Sequence, residues 1–201
     1  MKTVGRPVLL PWIVVMLCLL PGLRAAGPAG PKVKMKPASA LIASQEKAKV
    51  VPSLLEKTDH EPVSIVVSLS RQRAYLMVGG KVAIDTPISS GRRNGWTPKG
   101  EFVILEKDPN HFSSLYGDFI DGAGRIVRSG VSSRIDAAPS GTRFRGSPMK
   151  YFLRLTPQGV GMHAGILPGY PASHGCIRLP RDMAELIYGK VGVKTPVTVA
   201  D

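Results

Sequence analysis

The stretch VSIVVSLSRQRAYLMVGGKVAIDTPIS, residues 63–89, indicates the fold class. It consists of three runs rich in β-branched and aliphatic residues, which are typical of β-strands. Gly79 and Gly80 separate the last two runs. A two-residue Gly-Gly loop favours a β-hairpin, because the tight turns that suit a hairpin need positive φ. The stretch therefore predicts three strands, of which the last two form a hairpin.

The same β character continues beyond this stretch, and only RDMAELIYG (181–189) has the apolar spacing of a helix. We therefore predict a mostly β domain over residues 62–201, a β-sandwich or barrel-like fold with a short C-terminal helix. The further strands are predicted at GEFVILEK (100–107), at MKYFLRLT (149–156) and VGMHA (160–164) as a hairpin, and at PVTVA (196–200).

Residues 108–148 show neither strand nor helix patterning. They are rich in Gly and Ser and carry scattered aromatic residues. A loop of this length inside a compact domain is usually functional or mobile. We therefore predict a long flap loop over the functional site.

The first 26 residues have the order of a secretory signal peptide. Lys2 and Arg6 precede an apolar run over residues 8–20, and small residues follow at Ala25 and Ala26. The run is shorter than the ~20 apolar residues that a membrane span needs. We predict a signal peptide over residues 1–26 and export to the periplasm or cell envelope, with membrane contact only through an uncleaved signal.

Residues 27–61 are rich in Pro, Ala and Lys, which predicts a linker between the signal and the domain. The formal net charge of the whole chain is +13, which favours anionic surroundings. For an exported protein the anionic cell envelope fits this charge better than nucleic acid does. We therefore expect no nucleic-acid partner.

Cysteine use points to a reactive thiol. The chain has two cysteines, and Cys18 lies in the predicted signal peptide. Cys176 would then be the only thiol of the mature protein, without a disulfide partner in an oxidising compartment. Two histidines lie near it, because His174 is two residues upstream and His163 is 13 residues upstream. This pattern favours a cysteine that is present for its reactivity over one that is buried and inert.

A nucleophilic Cys176 needs a base, because a free thiol is only weakly ionised at neutral pH. His174 would share a face with Cys176 in an extended strand. His163 could be brought back to it by the intervening loop, which contains Pro and Gly. Ser173 could orient the base through its hydroxyl or its carbonyl.

The other residues of the motif suit substrate binding. Gly175 allows the backbone to approach a substrate closely, and the amides of Gly175 and Cys176 could face a developing oxyanion. Arg178 could hold a substrate carboxylate in a forked contact. A zinc site from His163, His174 and Cys176 would lack an obvious fourth ligand or a Glu base, so we expect no metal.

These residues carry a family resemblance. SHGCIRLP (173–180), with MHAG (162–165) upstream, resembles the signature of the L,D-transpeptidase catalytic domain, the YkuD family. The predicted opening strands, then TPKGEF (97–102), then the His and Cys motifs follow one another in the order found in this family. The resemblance therefore covers about residues 62–200. It implies the family's mostly β domain, peptidoglycan stem peptides as substrate, and no metal or organic cofactor.

The resemblance also implies a reaction. Cys176 would attack the carbonyl of the third residue of a tetrapeptide donor and release D-Ala, and an amine acceptor would resolve the thioester. A second stem would give a 3→3 cross-link and a lipoprotein lysine would give protein anchoring, whereas water would make the enzyme an L,D-carboxypeptidase. His163 would be the general base and Ser173 its orienter. The site-shaping residues would be His174, Gly175 and Arg178.

Two other classes are alternatives. A papain-like cysteine peptidase places its Cys before its His, and the order is reversed here. A non-catalytic peptidoglycan-binding module would use the basic charge and not the thiol.

Overall fold

The computed structural model describes residues 45–201, so the predicted signal peptide and the first part of the predicted linker lie outside the described residues. Among the described residues, neither helix has the length and apolar character needed to cross a membrane. The elements in chain order are β1 (Lys49–Val50), α1 (Pro52–Leu55), β2 (Val63–Ser68), β3 (Arg73–Val78), β4 (Lys81–Pro87), β5 (Gly100–Val103), β6 (Glu106–Ile120), β7 (Ile126–Ser132), β8 (Arg143–Arg154), β9 (Gly161–Ala164), β10 (Ile177–Leu179), α2 (Arg181–Lys190) and β11 (Pro196–Ala200).

The strands form two sheets that share one hydrophobic core. The strand order is β1-β4-β3-β2-β11-β5 in the first sheet and β10-β9-β8-β6-β7 in the second. Alternate residues of β2 and β3, such as Ile65 and Leu76, are fully buried, and they belong to one cluster with Leu153, Met162 and Ile177 of the second sheet. This arrangement confirms the predicted fold class, mostly β with a short C-terminal helix.

The predicted hairpin is present at the centre of the first sheet. Gly79 and Gly80 have φ of 55° and 76°, and Val78 pairs with Lys81 across the turn. Residues with a Cβ rarely adopt this left-handed conformation, so the two glycines allow β3 to return directly as β4.

Residues 108–148 are not the irregular flap loop that we predicted. They form most of β6, all of β7 and the first half of β8, and β6 pairs with both of the other strands. The first five residues of β7 are all exposed. Residues 108–148 thus form a β-ribbon that backbone hydrogen bonds, rather than burial, hold together. Its sequence therefore lacks the apolar alternation that would have revealed the strands.

Residues 45–61, predicted as linker, pack on the domain. Strand β1 pairs antiparallel with β4, and Leu55 of α1 is buried. The guanidinium of buried Arg73 binds this segment and β4 together. Its Nη1 donates to the Glu46 carbonyl at 2.7 Å, and its Nε donates to Asp85 Oδ1 at 2.7 Å. The packed domain therefore begins upstream of the predicted boundary at residue 62.

Helix α2 packs against the core near the second sheet and confirms the helix predicted at this position. It buries Met183, Ala184 and Ile187 on one side. Lys107 of β6 reaches its C-terminal end, where Nζ donates to the carbonyls of Tyr188 at 2.7 Å and Val191 at 2.6 Å. A cation at a helix C-terminus is favourable because the last carbonyls are unpaired and carry partial negative charge.

Replacing Arg73 with Leu tests the attachment of the N-terminal segment. The change would leave Asp85, whose side chain is 24% exposed, without its ion pair. We expect the free energy of unfolding to fall by about 3 kcal/mol, because breaking a largely buried ion pair leaves the remaining charge without a partner.

Urea denaturation measures this loss, and the control is Arg125→Leu. Arg125 pairs with Asp121 but its side chain is 81% exposed, so we expect a change of at most about 1 kcal/mol. Equal losses in the two variants would contradict the proposed attachment.

Candidate active site

Two short parallel strands place the predicted nucleophile and the predicted base on one face of the second sheet. Strands β9 and β10 pair in a register that sets Met162 beside Ile177 and His163 beside Arg178. Met162 and Ile177 are fully buried in the core. Because side chains alternate along a strand, His163 and Arg178 lie on the other face. Cys176, two residues before Arg178, lies on that face as well.

The wall beside the sulfur is tightly packed. A Cβ on Gly161, the β9 residue beside Cys176, would collide with the Leu153 carbonyl and the Phe152 ring. The sulfur lies 3.6 Å from the Gly159 carbonyl oxygen. Glycine at position 161 therefore allows β9 to pack closely against β8 next to Cys176.

The hydrogen bond of His163 defines its tautomer. Nδ1 lies 2.8 Å from the carbonyl oxygen of Ala164. A carbonyl only accepts, so Nδ1 carries the hydrogen and donates it, and Nε2 of the neutral ring keeps its lone pair. Burial lowers the pKa of His163 to about 4, so the ring is neutral at pH 7. His163 is therefore prepared to accept a proton at Nε2.

Cys176 is also uncharged at rest. Burial raises the pKa of its thiol, while the Gly161 amide and the charge of Arg178 oppose this rise more weakly. The thiol, with its raised pKa, and the imidazole, with its lowered pKa, are therefore both neutral at pH 7. The proton would therefore leave sulfur during nucleophilic attack rather than before it.

The structure does not bring Ser173 to His163. Ser173 is buried, and its Oγ accepts a hydrogen bond from the Gly175 amide at 3.0 Å. The orienting role that we predicted for Ser173 therefore falls to the Ala164 carbonyl. The Gly175 amide is occupied by the same bond, which leaves the Cys176 amide as the remaining donor of the predicted oxyanion pair.

The cysteine loop is held by Thr97, which sequence reasoning missed. Its Oγ1 donates to the Gly175 carbonyl at 2.7 Å and accepts from the Gly91 amide at 2.8 Å. Gly175 has φ of 138°, and a Cβ there would lie 2.9 Å from the Trp96 carbonyl oxygen. Thr97 begins the TPKGEF stretch, which marked the resemblance but carried no predicted role.

A second set of bonds, also missed from sequence, fixes the start of this loop. The Ser90 carbonyl accepts from the amides of Ala172 at 3.0 Å and Ser173 at 2.9 Å. Ser90 is held in turn by the Gln72 side chain, whose Oε1 accepts from the Ser90 amide at 3.0 Å. These partners are distant in sequence, so only the folded chain reveals the network.

His174 lies in an aromatic stack. Its ring centroid is 4.1 Å from that of Tyr116 and 5.7 Å from that of Trp96, with nearly parallel planes. Tyr116 belongs to β6, so the ribbon that we predicted as a flap loop does reach the site. Partial burial, followed by the charges of Arg92 and Arg178, lowers the pKa of His174.

Arg178 presents a positive charge beside the sulfur. Within residues 45–201 it has no carboxylate within ion-pair distance, and its one side-chain hydrogen bond is a 3.5 Å contact from Nη1 to the Ile166 carbonyl. In the same part of the chain, no three His, Cys, Asp or Glu side chains are grouped to hold a metal. The site therefore combines a thiol, a neutral imidazole and a free guanidinium.

This combination on a two-sheet β fold defines a candidate cysteine acyl-transfer site. The family model described as the L,D-transpeptidase catalytic domain, YkuD, matches residues 62–199. The chain belongs to this family, as the sequence resemblance predicted.

Curated relatives carry the same family name. The chain is 32% identical over 120 residues, 57% of its length, to a Mycobacterium tuberculosis protein that carries the name L,D-transpeptidase 3. It is 28% identical over 141 residues, 68% of its length, to a Bacillus licheniformis protein that carries the name L,D-transpeptidase YkuD. The matched regions span 38% and 65% of those two relatives.

Solved structures share the fold. An L,D-transpeptidase from Mycobacterium smegmatis matches with a TM-score of 0.52 and 25% identity, covering 69% of this chain and 58% of that chain. The Ldtfm-avibactam carbamoyl enzyme matches with a TM-score of 0.50 and 26% identity, covering 69% of this chain and 49% of that chain.

Thr97→Val tests the support of the cysteine loop. Valine has nearly the same shape, but it leaves the Gly175 carbonyl and the Gly91 amide without their partner. We expect the alkylation rate of Cys176 by iodoacetamide to fall about 10-fold and the free energy of unfolding to fall by about 1–3 kcal/mol. The control is Thr198→Val, which removes an exposed side-chain hydrogen bond from Thr198 of β11 to Glu101 of β5. A wild-type alkylation rate in Thr97→Val would show that the loop does not need this hydroxyl.

The pH dependence of alkylation tests the neutral pair. With a His163 pKa of about 4 the base is unprotonated from about pH 5 upwards, so the rate should form a plateau to pH 8 and fall only as the pH approaches 4. His163→Ala should have no plateau, because its rate then follows the thiolate fraction. Mass spectrometry of the Cys176 peptide separates this signal from that of Cys18. A wild-type midpoint near pH 6.5 would contradict the lowered pKa.

Proposed function

We propose that this protein is an exported cysteine acyltransferase that carries out L,D-transpeptidation on peptidoglycan stem peptides. The observation that carries the proposal is the shared face of β9 and β10, with the Cys176 thiol and the neutral His163 ring on it. Membership in the L,D-transpeptidase family supports the reaction class. The carbamoyl enzyme that a structurally similar protein forms with avibactam supports covalent chemistry in this fold.

The first half-reaction forms a thioester. Cys176 Sγ attacks the carbonyl carbon of the third residue of a tetrapeptide donor, and His163 Nε2 takes the thiol proton. The Cys176 amide stabilises the negative charge that develops on the carbonyl oxygen. The C–N bond then breaks, His163 returns the proton to the departing amine, and D-Ala leaves.

The second half-reaction transfers the acyl group. An acceptor amine attacks the thioester carbonyl, and His163 Nε2 removes a proton from its nitrogen. The C–S bond breaks, and the proton on His163 restores the thiol. A stem-peptide amine gives a 3→3 cross-link, whereas water as acceptor gives an L,D-carboxypeptidase.

Arg178 suits an anionic donor. The guanidinium lies on the same face as Cys176 and has no carboxylate partner within the described chain, so it can bind a carboxylate near the scissile bond. Binding in this partly buried position strengthens the charge contact. We propose that Arg178 selects donors with a free C-terminal carboxylate.

The cellular setting follows from the N-terminal sequence. The predicted signal peptide and the net charge of +13 favour export to an anionic envelope, where peptidoglycan is the available substrate. The protein would then contribute to cell wall biogenesis and cell shape in the periplasm.

The test is mass spectrometry of the full chain after incubation with purified disaccharide-tetrapeptides. We expect loss of D-Ala, a thioester on Cys176 and 3→3 dimers. Cys176→Ala should abolish all three, whereas Cys18→Ala should leave them unchanged. Tripeptides without dimers would support the carboxypeptidase. No thioester and no D-Ala release would contradict the proposal and favour a wall-binding module.

A further inference from the structure

A pair of arginines beside the site takes no part in the proposed reaction. Arg92 and Arg93 follow β4 and are exposed, and their Cζ atoms lie 5.0 Å and 5.1 Å from the centre of the Trp96 ring. Cation–π contacts of this kind hold a guanidinium in place without using its N–H donors. The donors of both side chains therefore remain available.

These donors have no anionic partner within residues 45–201. Neither arginine forms an ion pair with a carboxylate there, in contrast to Arg73 and Arg154. The two arginines line a cavity of about 220 Å³ together with Gln72, Thr97, Pro171 and Asp201. The Asp201 carboxylate is itself paired with Lys99 at 2.5 Å.

The arginine pair is connected to the cysteine loop through Trp96. The Trp96 ring stacks with His174 at 5.7 Å, and the Trp96 carbonyl faces Gly175. The charge of Arg92 contributes to the lowered pKa of His174. The pair therefore lies one aromatic ring away from the residues that precede the nucleophile.

We propose that Arg92 and Arg93 form a second carboxylate subsite, which binds a free carboxylate of the stem peptide outside the scissile bond. The inference rests on the proposed function, because it assigns this subsite to the same donor. An extended peptide advances about 3.5 Å per residue. Arg92 Cζ lies 5.0 Å from the centre of the Trp96 ring, and that ring lies 5.7 Å from the His174 ring. A few residues of extended peptide therefore suffice to reach from His174 to Arg92.

Two carboxylates of the stem have the required chemistry. One is the α-carboxylate of the γ-linked glutamate at the second position, and the other is the side-chain carboxylate of a diamino-diacid at the third position. Both are planar anions that accept the two parallel bonds of a guanidinium. Singly amidated stems distinguish these two sources.

The experiment measures binding by calorimetry in the full chain carrying Cys176→Ala, so that turnover does not interfere. The ligands are a free tetrapeptide stem and two stems that are amidated at one carboxylate each. We expect one amidated stem to bind about 10-fold more weakly than the free stem, because it loses a charge-assisted contact. Adding R92Q and R93Q to this chain should abolish the difference. The affinity for the amidated stem should stay within two-fold of its value in the chain that retains both arginines.

The control is R134Q with R143Q, which removes the same charge from exposed positions of the ribbon. It should retain the difference between free and amidated stems. Persistence of that difference in R92Q/R93Q, or its equal loss in the control, would overturn the subsite.

Turnover separates the two proposals. In chains that retain Cys176, R92Q/R93Q should raise KM for the free stem about 10-fold and change kcat less than two-fold. Carboxylate-dependent binding without any thioester would contradict the transpeptidase and support the subsite. Turnover without carboxylate preference would contradict the subsite alone, and no binding of any stem would overturn both.

Discussion

The site depends on the register between two short strands, β9 and β10. A shift of one residue would move Cys176 to the opposite face from His163, because side chains alternate along a strand. Burial of Met162 and Ile177 opposes such a shift. A backbone bond from the Gly165 amide to the Leu179 carbonyl, 2.9 Å long, closes the pairing at its far end. The hydrophobic core thus determines on which face the candidate catalytic side chains lie.

Burial also sets the charge state of the two candidate catalytic groups. The same desolvation lowers the pKa of His163 and raises the pKa of Cys176, so the resting pair is neutral in a site bordered by arginines. The positive charge of these arginines would attract an anionic ligand, while burial keeps the Cys176 thiol protonated. The bond from His163 Nδ1 to the Ala164 carbonyl then leaves only one ring nitrogen, Nε2, to accept the proton.

Sequence predicted the parts that local pattern controls. The structure contains the strand runs in residues 63–89, the Gly79-Gly80 turn and the helix predicted at 181–189, which spans Arg181–Lys190. These features follow from periodicity and turn chemistry. The ribbon over 108–148 was missed because its exposed strands have no apolar alternation. The contact from Thr97 to Gly175 spans 78 residues, and such hydrogen-bond choices depend on the folded backbone path.

The central claim is that His163, the candidate base, is a neutral ring with its hydrogen on Nδ1 and with Nε2 free, on the strand face that also carries Cys176. Nitrogen-15 NMR of the histidine side chains, with His163 assigned by comparison with His163→Gln, tests it most directly. We predict an Nδ1–H ring for His163 whose signals do not change between pH 5 and pH 8. A ring that protonates near pH 6.5, or one that carries its hydrogen on Nε2, would contradict the account.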